Sequence, residues 1–215
     1  MDTFTLIQPE EPISFFWAIA GAFAVWLIKT SYEKYDSEIR SLRNVEVILF
    51  QHIAKNMDNK EFFDRWMQQL KKDRLFVCNF GTHMSHSSEA LNISNNSLLN
   101  RLIELDHKVQ RFDADLQGMF DTYQSSSIRI LDADQMTHWK DLNENTLGQA
   151  LEIEGNFKQL QVETKESIAH LRAYYKQKTF SFFRLIHLAR RNIYPRVTKT
   201  TIENEIKAIK IPERN

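Results

Sequence analysis

From Ile13 to Ile28 the chain reads ISFFWAIAGAFAVWLI, sixteen positions without a charge. The run is apolar on every side of a helix rather than along one stripe, which sets it apart from a core helix. Pro12 suits a first helical residue, and Lys29, Thr30 and Ser31 are tolerable at an interface. Together they extend the run to residues 12–31, about 30 Å of helix at ~1.5 Å per residue. A bilayer core of about 30 Å is thereby matched, and the pattern predicts a transmembrane helix over 12–31. Trp26, Tyr32 and Tyr35 would lie near the second interface, where amphipathic aromatics gather. A signal peptide fits poorly, because Asp2, Glu10 and Glu11 precede the run and no Lys or Arg does.

Beyond the anchor the helical pattern continues without Gly or Pro to about Met57, predicting a helical stalk over 32–57. Tyr32, Tyr35, Ile39, Leu42, Leu49 and Ile53 form its stripe, interrupted by Glu46. Asp58 and Asn59 read as a break, followed by a short helix from Lys60 to about Arg74 with Phe62, Phe63, Trp66 and Leu70 on one face. Residues 75–97 are irregular: Leu75 to Phe80 reads as extended, and the Ser/Asn/His-rich remainder as a loop with a turn at Ser88 to Leu91. So long a loop in a compact domain is either functional or mobile.

The clearest periodicity follows. Leu98, Leu102, Leu105, Val109, Phe112, Leu116, Met119 and Tyr123 alternate spacings of four and three, the signature of a coiled-coil seam or bundle helix. Ser125–Ser127 and Asp132–Asp134 predict a turn near 125–138. A second long helix is expected from about Trp139 to Asn192, with Leu142, Ile153, Phe157, Leu160, Ile168, Leu171, Tyr175, Phe182 and Leu185 along it. Two long helices joined by a short turn predict an antiparallel hairpin. Pro195 ends the second, and 196–215 reads as a flexible tail with one marginal turn at Ile202 to Ile209. The fold expected is therefore all-α: a single N-terminal transmembrane helix followed by a long-helix hairpin or coiled-coil-like bundle over 58–195.

Composition supports long helices, with only 5 Gly and 4 Pro in 215 residues. The 28 basic and 28 acidic side chains balance, so overall charge selects no partner. Their distribution is more telling. No Lys or Arg precedes Lys29, whereas Lys29, Lys34, Arg40 and Arg43 follow closely, which places the N-terminus (1–11) outside and the rest in the cytoplasm of an inner or plasma membrane. The sequons at Asn92 and Asn95 would be unused on that side. Residues 58–171 carry 12 basic against 18 acidic side chains, and residues 172–215 carry 11 against 3. The basic block is interleaved with Tyr174, Tyr175, Phe180, Phe182 and Phe183. It reads first as a solvated face of a core helix and second as an interfacial segment on lipid; a nucleic-acid partner is not expected. Membrane lipid, a second copy and a protein partner joined through the helix seams are the expected contacts.

No cofactor, metal centre or catalytic constellation is expected. Cys78, the only cysteine, lies near His83 and His86, but a structural zinc site needs a fourth ligand. Glu104 and His107 form one Glu-x-x-His run of the kind found in di-iron bundles, which need two, and Glu166 and His170 are four apart rather than three. Arg101 and His107, with five residues between them, resemble the Arg-x4–6-His element of HEPN ribonucleases, which are also helical. Leu102 departs from that family's usual polar residue after the Arg. The resemblance implies a membrane-bound ribonuclease as the enzyme alternative; an accessory subunit of a larger membrane complex is the other. The function expected is a membrane-anchored helical scaffold that associates with itself.

Overall fold

The computed structural model describes residues 12–72, 80–132, 137–179 and 198–209, with backbone alone at 12–15, 132 and 137. The described residues are all-helical, with no strand among them. Three long helices form the frame: α1 (Pro12–Leu70), α3 (Asn96–Asp132) and α4 (Thr137–Thr179). Two shorter ones complete it, α2 (Ser87–Ala90) and α5 (Lys199–Ala208).

Helix α4 is the axis of the bundle, packing against α1, α3 and α5. It runs antiparallel to α3, as a hairpin must: Arg101 meets Glu166, Lys108 meets Glu163, and Tyr123 meets Asn143. It also runs antiparallel to α1, where Arg43 meets Tyr175, Arg172 meets Glu46 and Asn56 meets the Phe157 carbonyl. Helices α1 and α3 are consequently parallel to each other. All eight predicted seam residues of α3, from Leu98 to Tyr123, are buried. On α4, Phe157, Leu160, Ile168 and Leu171 are buried, while Leu142, Ile153 and Tyr175 pack partly covered at the margin. Phe182 and Leu185 lie outside the described residues, as do Cys78 and most of the expected extended segment 75–80.

Several expected boundaries move. The break at Asp58 and Asn59 is absent, and α1 runs through it for 59 residues. Asn59 is buried, and its amide bonds a distant backbone, donating to Gly81 O (2.8 Å) and accepting from Gly81 N (3.0 Å). A side chain engaged in that way no longer competes for its own helix backbone. The stalk is part of the bundle from Glu38 onward, since Ile39, Leu42, Val45, Leu49 and Ile53 are core residues. Glu46, which breaks the stripe, is paired with Arg172 (2.6 Å). Helix α3 continues past the expected turn at 125 because Ser125 and Ser127 return their hydroxyls to the carbonyls of Asp121 and Tyr123. The expected marginal turn at 202–209 is the helix α5, capped by the Thr198 hydroxyl and held to α4 through Lys176 and Glu205.

Near the far end of α1 the apolar contacts are largely aromatic. Trp66, fully buried, meets Phe63, Phe80, Phe120 and Tyr123 with ring centroids 5.5–6.4 Å apart. At the other end, α1 leaves the bundle. Every residue from Phe16 to Lys29 is exposed, including Trp17 (74 %), Phe23 (58 %) and Ile28 (62 %). Among the described residues, no helix is long and apolar enough to cross a membrane. The expected span over 12–31 accordingly gains no support from the described helix, which offers thirteen apolar-rich exposed positions before Lys29.

Candidate functional site

The irregular segment is an ordered strap. From Phe80 to Ser94 it runs back along the groove between parallel α1 and α3, antiparallel to both. Its contacts step evenly up α1: Gly81 to Asn59, Met84 to His52, Glu89 to Asn44, Asn92 to Ser41, and Ser94 to Glu38. Helix α2 sits midway, against α1 on one side and α3 on the other. The strap explains why α1 and α3 need not touch along this stretch: it occupies the space a fourth helix would fill.

Two acidic residues of α3 fasten it. Asp113 accepts from His83 N (2.6 Å) and binds His83 Nδ1 (2.6 Å). Asp106 accepts from His86 N (2.9 Å), the Ser85 hydroxyl (2.8 Å) and Gln110 (2.8 Å). The spacing is dictated by geometry. Two turns of helix, from residue 106 to 113, rise about 10.5 Å. Three residues of extended chain, from 83 to 86, span about 10 Å. The His-x-x-His of the strap therefore matches the Asp-x6-Asp of α3 rather than forming half of a metal site.

His52 of α1 closes the cluster. Its Nε2 donates to the Met84 carbonyl (2.6 Å), and its ring lies 5.3 Å from His83 and 5.2 Å from His86, centroid to centroid. His86 Nε2 donates to the Leu102 carbonyl (2.8 Å). Carbonyl oxygens only accept, so in the neutral rings the hydrogen of His52 and of His86 sits on Nε2. The carboxylate of Asp113 likewise draws the His83 hydrogen to Nδ1. The opposite nitrogens, His52 Nδ1, His83 Nε2 and His86 Nδ1, are buried without a hydrogen-bond partner. His86 Nδ1 stands 3.2 Å from Asp106 Oδ1, where a proton would complete an ion pair.

Burial governs the titration of these groups. It pushes His52 down to about 4, aided by the neighbouring His86 and His83, while the Met84 carbonyl and Asp106 pull the other way. His86 is also lowered by burial, against the attraction of Asp106. Burial alone would raise Asp106, yet the His86 N–H, the Ser85 hydroxyl and the His86 ring leave it below the ordinary carboxylate value. Burial thus favours the uncharged rings of His52 and His86, beside an Asp106 that favours its charge.

A second buried polar centre ties the strap's other end. Glu38 pairs with Lys178 and accepts from Ser94 N (2.9 Å), the Ser94 hydroxyl (2.8 Å) and Tyr174 OH (2.9 Å). Burial opposes its charge, but the Lys178 ammonium and Ser94 hold its carboxyl below the usual range.

The sequence-predicted residues fare differently. His83 and His86 are brought together, with Asp113 and Asp106 as partners; Cys78 lies outside the described residues. No group of three or more His, Cys, Asp or Glu is arranged to hold a metal ion among the described residues. Arg101 and His107 do not converge. Arg101 is paired with Glu166 (2.6 Å) and Ser167 (3.3 Å) on α4, and His107 is exposed on α3. Glu104 pairs with Lys108 (3.2 Å) along its own helix, so the two Glu/His runs build no common centre. His52, Asp106 and Asp113 were not singled out by the sequence pattern. A signal for His52 existed: it lies three residues after Leu49 and four before Asn56, on the buried face of α1. No protein-family model, curated protein or solved structure matches this chain.

Proposed function

We propose that the protein is a single-pass membrane-anchored helical scaffold, with the apolar end of α1 in the bilayer and the bundle on the cytoplasmic side. The observation that carries this reading is the course of α1. Its first turns are helical and exposed on every face with Phe16, Trp17, Ile19, Phe23, Val25, Trp26 and Ile28. An isolated apolar helix end of this kind needs a covering, and lipid covers all faces of a helix at once. The uncharged sequence run extends the described stretch back to Ile13, and Lys29, Lys34, Arg40 and Arg43 mark the cytoplasmic side.

The reading of self-association changes its basis. The α3 seam is filled by α4 of the same chain, so it requires no second copy. Exposed Ile128, Leu131 and Leu151 on the hairpin offer a surface for one, or for a subunit of a larger membrane complex. A ribonuclease resting on Arg101 and His107 draws no support from the geometry, since each is committed elsewhere or faces outward.

Single cysteines introduced near residues 5 and 40, with Cys78 replaced, test the anchor by membrane-impermeant labelling of intact cells. Labelling at 5 alone is expected; labelling of both sites from one side would sink the single-span topology.

A further inference from the structure

We propose that the histidine cluster is a proton-operated latch, in which protonation of His52 releases the strap 80–94 from the groove between α1 and α3. Three observations converge on His52. First, its side chain is buried and its Nδ1 has no partner, so an added proton finds no acceptor in contact. Second, the groups around it give that charge little compensation. The strap presents the rings of His83 and His86, at 5.3 and 5.2 Å, together with the Met84 carbonyl. Helix α3 presents Asp106 and Asp113, but these are already engaged with His86 and His83 and with their backbone N–H groups. On α1 itself the nearby charge is Lys55, which lies beside Gly81 at the strap's entry. Helix α4 packs on α1 through Asn56, and its charged side chains there are paired, Arg172 with Glu46 and Glu154 with Lys60.

Third, the cost has one outlet. His52 is fixed on a long helix anchored by its core face, whereas Met84, His83 and His86 belong to a segment with little regular structure. Polar bonds fasten the strap around His83 to His86, between the apolar contacts of Phe80 at one end and Ala90 and Ile93 toward the other. A charge under that middle part is relieved by lifting it into water. Lifting also exposes the strap's own buried apolar residues, Phe80, Ala90 and Ile93, which converts an acid pulse into exposed apolar surface.

The test is hydrogen–deuterium exchange of the full chain in detergent micelles at pH 7.5 and 5.0, corrected for intrinsic exchange. With His52 near 4 in the closed state and near 6.5 once exposed, linkage gives about a 30-fold rise in strap opening between the two conditions. Amides of 80–94 are expected to lose protection by that order while those of α4 between Leu160 and Leu171 keep theirs. In His52→Gln, whose amide can still donate to the Met84 carbonyl, the rise in strap exchange is expected to shrink to the part contributed by His86, which burial also lowers; His107→Gln is expected to behave as the native chain. Equal strap protection at both values in the native chain, or an undiminished loss in His52→Gln, overturns the proposal. Should His52→Gln misfold, histidine-selective NMR of the native chain decides: the His52 ring must titrate together with strap opening, and titration of a still-protected strap refutes the latch. Zinc that stabilises the native chain at pH 7.5 through these rings would also overturn it, by making the bare nitrogens ligands.

Discussion

The groove between α3 and α4 and the groove between α1 and α3 are closed in opposite ways. The first is an apolar seam, with eight consecutive heptad-type positions of α3 buried against α4. The second is closed by the strap, which adds to the buried Phe80, Ala90 and Ile93 a ladder of hydrogen bonds between side chains and backbone: Asn59 to Gly81, His52 to Met84, Asp106 to His86, Glu38 to Ser94. Apolar burial responds weakly to pH and salt and resists local opening. A polar fastening is exchangeable with water, so its net worth per bond is about 1 kcal/mol, and it depends on protonation. One molecule therefore carries a permanent joint and a conditional one side by side.

The largest effect is expected from the apolar packing where the far end of α1 meets α3 and the strap's Phe80. Trp66→Ala empties the centre of the aromatic cluster and is expected to cost about 3–5 kcal/mol in urea unfolding, with all regions failing together. Next comes acid. His52 is held near 4 when folded and returns to about 6.5 when unfolded, so the unfolded chain binds the extra proton between those values. Stability is then complete above about pH 6.5 and falls by about 3 kcal/mol as the pH drops toward 4. The carboxylates Glu38 and Asp106, both lowered, add their losses only below the ordinary carboxylate range, in a separate acid phase. Melting curves from pH 7 to 4 should show a larger first phase in the native chain than in His52→Gln, where His86 and His170, also lowered by burial, keep part of it. Asp106→Ala is expected to cost about 2 kcal/mol, because the His86 N–H is left buried and unpaired, and to raise exchange in 80–94 without touching the α3/α4 seam. Smallest is Arg101→Ala, which removes a partly exposed pair with Glu166 and should cost under about 1 kcal/mol. Paired with His107→Ala it is expected to leave RNA unaltered in a cleavage assay, with native-like melting.

Legibility in the sequence followed the same division. The seam could be read directly, because Leu98 to Tyr123 keep the three-four spacing without a miss, and the hairpin followed from it. Residues whose behaviour is set by distant partners could not. Asn59 looks like a helix breaker to its own neighbours, and only the Gly81 backbone, 22 residues on, makes it a helix residue. Ser125 and Ser127 likewise favour a turn until their hydroxyls fold back on the helix. The strap looked like a loop because polar residues announce no periodicity. His83 and His86 were visible as a pair without the ligands of a zinc site, and their partners Asp106 and Asp113 were not visible, since these lie on another element. The exposed end of α1 was conspicuous from the start, whereas its continuity with the core down to Leu70 was not.

That continuity has a mechanical consequence. Helix α1 is about 88 Å long at ~1.5 Å per residue, and after Gly21 it contains neither Gly nor Pro. A rod without a hinge behaves as a pointer. Pivoted at its apolar tip, a tilt of only ~10° would sweep the Trp66 end through roughly 15 Å of arc. Small reorientations of thirteen residues are thereby amplified into displacements larger than a helix diameter at the opposite pole.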